Sequence, residues 1–385
     1  MLLTVNRRAV VQLIESGLAT SQTQLARLLG VQPNSIHLTL KRLEKAGVVY
    51  RDRLHKSGRG RPRQHYRIKK QSPVLVIQWD GSTCAAGIVL ADAIHGFVPP
   101  TDCPSVKEVG EAIAAFCELR DASLVRARLA LSEIVGIVLA INATRAPGAD
   151  TLVSSVMPWI GQTSAKQFSE GLGCTVQLET QSPYVVPELR IRVAEGVRSL
   201  AVLNVADGVS AHGAVLDPQW GSEVSYRGEL GHVVVEPRGP LCGCGHRGCL
   251  EALISGPRLL QRVEADAKAN PQMPLADVVG RSPSKLFSEL ERLHATRSDP
   301  YAVSLLDEFL DRVAWCISVV ANGMGPDVVV LSGYALEGRN TWRDLILEKA
   351  RKLTPYGESS MLRLEFPRLR AEDYLKELAR RYAKL

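Results

Sequence analysis

Between Gly228 and Glu251 the chain reads GELGHVVVEPRGPLCGCGHRGCLE, which sets His232, Cys242, Cys244 and Cys249 at the spacing His-x9-Cys-x-Cys-x4-Cys. No other stretch constrains the fold so tightly. Structural Zn2+ sites combine thiolate and imidazole ligands in sets such as Cys3His, and Gly243, Gly245 and Gly248 allow the tight turns that gather three sulfurs. The alternative is three small buried cysteines beside a surface histidine, the ordinary fate of free Cys. The spacing argues against it.

With Gly-Glu-x-Gly-His before it and Gly-Cys-Leu-Glu at its end, the segment resembles the signature of the ROK family of bacterial sugar repressors and sugar kinases. The resemblance implies that His232 binds zinc through one ring nitrogen and faces a sugar with the other, while Glu229 and Glu251 hydrogen-bond sugar hydroxyls. The chemistry is coherent. A metal-bound imidazole is fixed in tautomer and orientation, so its second nitrogen can be aimed at a ligand.

At 385 residues, with 45% apolar and 23% charged side chains, the chain has room for two or three soluble domains. Beyond the cluster, Cys84, Cys103, Cys117, Cys174 and Cys316 lie singly, which points to a reducing compartment rather than a disulfide framework. Neither a charged-then-apolar leader nor a run of 18 apolar residues is present, so cytoplasm is expected and a membrane is not. The net charge of +7 is unevenly placed. Residues 1–70 hold 15 Lys or Arg against Glu15, Glu44 and Asp52, a net of +12, leaving −5 for the remaining 315. One end of the chain suits a polyanion.

That end has helix-turn-helix spacing. Val5 to Ser16 carries Val5, Ala9 and Leu13, with Val10 and Ile14 on the adjacent edge, and stops at Gly17. Thr20 or Ser21 caps Gln22 to Leu29, and Gly30 ends it. Pro33 opens a third helix, Asn34 to Lys45, with Ile36, Leu40 and Leu43 inward and Asn34, Ser35, His37, Lys41 and Arg42 outward. Val48 to Tyr50 then begins a strand that pairs with Gln64 to Ile68, making a wing. In such a module Asn34, Ser35 and His37 face base edges in the major groove, while Lys41 and Arg42 grip phosphates. Lys56 to Arg63 reads KSGRGRPR, whose Arg59-Gly60-Arg61-Pro62 core resembles an AT-hook. With Arg63 it suits an A·T-rich minor groove, the other reading being a flexible basic linker.

From Pro73 onward, short β-branched runs (Val74 to Trp79, Gly87 to Leu90, Ile134 to Leu139, Ser199 to Val205, Val328 to Leu331) alternate with helical stretches, an α/β pattern. The resemblance implies two actin-like α/β lobes with a ligand cleft between them. No internal repeat is visible. Ala371 to Leu385 forms an amphipathic basic helix, with Tyr374, Leu375, Leu378 and Tyr382 on its apolar side, that the family pattern does not explain.

The catalytic parts of the family's kinases are altered here. The first phosphate turn, Asp-x-Gly-Gly-Thr, aligns with Trp79-Asp80-Gly81-Ser82-Thr83. The catalytic Glu-Asn-Asp aligns with Glu179-Thr180-Gln181, and a glutamine is no general base. The second phosphate turn becomes Ala206-Asp207-Gly208-Val209-Ser210, and a sugar-holding asparagine is replaced by Val156. The expected architecture is therefore an N-terminal winged helix-turn-helix (1–70) followed by a two-lobed, actin-like α/β body (71–385). The expected function is a non-enzymatic transcriptional regulator, a repressor, that binds a palindromic double-stranded DNA site as a homodimer or higher homo-oligomer. Gln181, Glu229, His232 and Glu251 are the candidate contacts for a sugar or sugar-derivative effector, and the zinc is structural. Two alternatives stay open: a sugar kinase with rearranged catalytic groups, and a zinc-stabilised DNA-binding protein without an effector.

Overall fold

A computed structural model describes residues 10, 13–14, 18–45, 49–53, 64–68, 73–79, 81, 83–90, 93–104, 106–145, 152–154, 157–161, 163–180, 185–216, 223–355, 357 and 361–382. Ser21 is the residue that caps the helix Gln22–Leu29. Its hydroxyl accepts from the Gln24 N–H, and the Gln24 side chain returns to the Ser21 N–H at 3.1 Å, so two orphan donors of the first turn are satisfied. Gly30, at φ 63°, closes the helix in the left-handed conformation that glycine adopts without strain. The next helix, Pro33–Lys45, is tied to the first by Gln22 Nε2 donating to the Pro33 carbonyl at 2.8 Å. Leu25, Ala26, Ile36, Leu40 and Leu43 form the core between them, joined by Val10 and Ile14. Of the first helix's expected face, Leu13 is only partly buried, so the stripe is turned toward the Val10 and Ile14 edge; Val5 and Ala9 lie outside the described residues.

Strand β1 (Val49–Arg53) pairs antiparallel with β2 (Gln64–Ile68), from Val49 opposite Ile68 to Arg53 opposite Gln64. This is the expected wing, with its first strand two residues longer than the apolar run suggests. It is anchored to the helices by the Tyr66 N–H on the Thr20 carbonyl (2.6 Å), by Thr20 Oγ1 against His65 Nδ1 (2.8 Å), and by the buried Tyr66 ring. The hook at Arg59, Gly60, Arg61, Pro62 and Arg63 lies outside the described residues.

The body holds two five-stranded sheets. The first comprises β3 (Val74–Trp79), β4 (Thr83–Leu90), β5 (Ala93–Asp102), β6 (Gly136–Ile141) and, after a short hairpin β7 (Thr144–Arg145) and β8 (Leu152–Val153), β9 (Val176–Thr180). Its order is β5-β4-β3-β6-β9. The second comprises β10 (Ser199–Val205), β11 (Val209–Leu216), β12 (Glu223–Gly228), β13 (Val328–Ser332) and β14 (Leu364–Glu365), in the order β12-β11-β10-β13-β14. In each, an antiparallel meander is extended by two parallel strands on its first member. The repeat that the sequence conceals is thus a repeat of topology. Ile134 precedes its strand because residues 131–133 form a single 3-10 turn.

Helices cover both faces of each sheet, which is why β6 and the first four residues of β3 and of β13 read as unbroken apolar runs rather than alternating ones. Val109–Ala127 and Ala165–Leu172 cover one face of the first sheet. Its other face is covered by the C-terminal helix, Ala371–Tyr382, whose Tyr374, Leu375, Leu378 and Ala379 pack on Val74, Val76, Val89, Val138 and Ala140. The last segment therefore returns from the second lobe to complete the first. At the crossing, the fully buried Arg192 guanidinium pairs with Glu188 and with Glu365 (2.9 Å), and Glu188 accepts the N–H groups of Arg368 and Leu369 at 3.0 and 2.9 Å.

Candidate metal centre, cleft and nucleic-acid interface

The metal-ligand candidates converge. His232 ends a single 3-10 turn directly after β12, and the thiols come from a knuckle in which the Cys242 N–H donates to the His246 carbonyl (2.8 Å) and the Gly245 N–H to the Cys242 carbonyl (3.0 Å). Gly248, at φ 68°, admits no other residue, because a Cβ there would lie 1.5 Å from the Glu236 carbonyl oxygen. The donor atoms of His232, Cys242, Cys244 and Cys249 all fall within 4.8 Å of one another. Two of the edges, His232 Nδ1 to Cys242 Sγ and Cys244 Sγ to Cys249 Sγ, are 3.6 Å. A tetrahedron built on metal–sulfur bonds of about 2.3 Å has edges of about 3.8 Å, so the donor set fits such an ion.

The thiols' acidities fit the same use. Burial pushes the exposed-side Cys244 up, but hydrogen bonds from the His246 backbone and ring and from Cys242 and Cys249 more than offset this and bring it down to about 6. Burial and the adjacent thiols push Cys249 up to about 12, and burial raises Cys242 as well. Three thiolates crowded together repel, so without a cation one takes the charge and the others keep their protons. A dication is what allows all three to ionise.

His232 turns Nδ1 toward the sulfurs, which leaves Nε2 as the nitrogen that can face another ligand. Glu251 is buried nearby, its carboxylate accepting the Val209 N–H (3.1 Å) and facing the Cys242 thiol (3.9 Å). Glu229 is exposed. The two glutamates therefore do not form a buried pair in need of a polar occupant, since only Glu251 is buried and it has partners within the protein. Gln181 and Val156 lie outside the described residues.

Between the sheets, at the carboxyl ends of β3, β6 and β10, lies a cavity of about 510 Å³. Its polar lining includes Asn142 and Glu179 from the first lobe and Asn204, His212 and Glu337 from the second; Glu229, His232 and Glu251 do not line it. Sequence reasoning reached only Glu179 among these, since the others stand singly, Asn142 and Asn204 at strand ends, His212 within β11 and Glu337 in the turn after β13, with no motif around them. Trp79, where the kinases' first phosphate turn has its carboxylate, is buried edge-on against Phe116 with ring centroids 5.0 Å apart. In the second turn, Asp207 accepts the Tyr334 hydroxyl at 2.6 Å. Among the described residues, no lysine or arginine lines the cavity to receive a phosphate. Protein around Glu337, with the Glu188 charge, holds its carboxyl above the usual range.

On the helix Pro33–Lys45, Asn34, Lys41 and Arg42 are exposed as expected, whereas Ser35 and His37 are half-buried. Thr39 is buried and its hydroxyl donates to the Ser35 carbonyl at 3.0 Å. Leu38, which sequence reasoning left aside, stands 58% exposed on the outer face.

A family profile described as the ROK family matches residues 125–351. The chain belongs to the ROK family. Among curated relatives of this ROK protein, a glucokinase from Thermotoga maritima is 32% identical over 129 residues, which cover 34% of this chain and 39% of that one. An N-acetylmannosamine kinase from Vibrio vulnificus is 31% identical over 139 residues, 36% of this chain and 41% of that one. The matched part thus spans about two fifths of those relatives. Among solved structures, a ROK family transcriptional regulator, a homologue of the E. coli MLC protein, superposes with a TM-score of 0.64 at 18% identity, covering 99% of this chain and 96% of that one. A ROK family glucokinase from Streptomyces griseus in complex with glucose and AMPPNP gives 0.59 at 18% identity, covering 80% and 98%. At these identities the likeness is one of fold, and it places the winged helix-turn-helix and the two lobes among ROK architectures.

Proposed function

We propose that this ROK protein is a sequence-specific DNA-binding transcriptional regulator, acting in the cytoplasm as a repressor. Residues 1–70 form its DNA-binding domain, and residues 71–385 form the body that dimerises and senses a sugar or sugar derivative. One observation carries this reading: a winged helix-turn-helix, with Asn34, Lys41 and Arg42 exposed on its second described helix, precedes the ROK body. A dimer presents two such helices to a palindromic site, and the Arg59–Arg63 hooks reach adjacent A·T-rich minor grooves. Zinc is the metal that suits His232, Cys242, Cys244 and Cys249; bound there, it neutralises the thiolates and holds the knuckle shut. His232 then keeps one imidazole orientation, with Nε2, Glu229 and Gln181 available to sugar hydroxyls and Glu251 bracing the Val209 turn.

The body does not act as a kinase in this reading. Gln181 cannot accept a proton, Asp207 sits in the second phosphate turn, and no cation lines the cleft among the described residues. Phosphoryl transfer remains the second reading, favoured by the kinase relatives; ATP-dependent phosphorylation of any hexose in a panel would establish it. The regulator reading is tested by selecting bound genomic fragments and titrating the best one against salt. About six to ten phosphate contacts predict a fall of about three to five orders of magnitude in affinity between about 50 and 200 mM salt, with retained sequence preference. A shallow, sequence-blind titration overturns it. Repeating the selection with metabolite extracts separates a sensing body from one that only supports the fold.

A further inference from the structure

The orientation of the helix Pro33–Lys45 is fixed by what it buries. Ile36 and Leu40 are fully inside, Leu43 nearly so, and Thr39 is held inward by its bond to the Ser35 carbonyl. At about 100° per residue, positions 34, 38, 41 and 42 then fall on one stripe on the opposite side. All four are exposed. Three are polar or cationic, and the fourth, at the centre of the stripe, is Leu38.

A single exposed leucine is ordinary on a protein surface. This one has a defined environment. Lys41 and Arg42 lie one turn further on, in a segment whose net charge is +12, so the surface complementary to this face is a polyanion. An apolar side chain set among phosphate-directed cations cannot satisfy any base donor or acceptor. The major-groove edge of B-DNA carries one apolar group, the thymine 5-methyl. We propose that Leu38 packs on a thymine methyl in each half-site and specifies T over C at that position, with Asn34, one turn earlier, facing the neighbouring base pair. The inference rests on the DNA-binding reading and adds a specificity-determining residue to it.

The test uses the full-length protein and the duplex it selects best. Each thymine of the site is replaced in turn by deoxyuridine, which removes only the methyl group, and dissociation constants are measured for the wild type and for Leu38→Ala. Losing one buried methyl contact corresponds to about fourfold in affinity. The expected result is one thymine per half-site whose demethylation weakens the wild type by about three- to tenfold and Leu38→Ala by less than twofold. Replacing the cytosine of a C-substituted site by 5-methylcytosine should restore part of the wild-type affinity and none of the variant's. Because Leu38 is exposed, the variant should keep the wild-type melting temperature. Penalties that simply multiply at every thymine, or no methyl-sensitive position, overturn the proposal while leaving DNA binding intact. Failure of the wild type to select any duplex removes the DNA-binding reading itself, a distinguishable result, and this inference with it.

Discussion

At the scale of single residues, the knuckle shows how far local spacing reaches. Cys242, Cys244 and Cys249 were legible as a cluster that could hold a metal because a short stretch of chain holds them together, and His232 because it lies only ten residues before the first thiol. The environment of Glu229 and Glu251 was not legible. How Glu251 is satisfied depends on Val209, a residue more than forty positions away, and no pattern around the glutamates encodes it. Within the knuckle the candidate ligands are not equivalent: Cys249 is fully buried, Cys244 exposed. Cys249→Ser should therefore abolish stoichiometric zinc, seen by metal analysis of the purified protein, and lower the melting temperature. Chelation of the wild type should lower it by a similar amount and that of the variant hardly at all, because a site that binds only the folded state adds its binding free energy to stability.

Among the elements, the strands were readable as apolar runs, but what locks their register was hidden in polar residues. Asp327, just before β13, accepts the N–H groups of Arg198 and Ser199 at 2.7 and 2.8 Å and the Ser199 hydroxyl at 3.1 Å, so it staples the start of β10 to that of β13. Burial pushes this carboxyl up, yet the Arg198 and Ser199 hydrogen bonds outweigh burial and hold it below its ordinary value. A depressed acid stabilises the fold above its unfolded pKa, about 3.9, and the contribution is lost as pH falls through the lower folded value. The site is partly exposed, so solvent screening limits the effect to about 1 kcal/mol. Asp327→Asn should therefore cost about that much in urea unfolding at neutral pH, and the gap from the wild type should close as pH falls below about 4.

For the whole molecule, the α/β layering was legible and the repetition was not. Two sheets share one strand order without sharing a sequence, because the topology asks only for apolar runs of the right length, which many sequences supply. The C-terminal helix was legible as amphipathic but not as a part of the first lobe, since its apolar stripe carries no mark of which sheet it covers. Gly87 does show the fit after the fact: a Cβ there would approach Leu375 Cδ1 to 3.2 Å and Ile94 to 3.1 Å, so the helix settles where the sheet has no side chain. Leu375 is fully buried with Val74, Val76 and Val138, residues more than two hundred positions earlier. If this helix closes the first lobe, Leu375→Ala should destabilise the protein by about 2–5 kcal/mol, the range for a buried leucine that leaves a cavity. Because the helix belongs to the first lobe's core, hydrogen exchange should rise first in β3, β4 and β6, while the amides of β10 and β13 keep their protection. Equal loosening of both sheets would mean that the two lobes unfold as one unit.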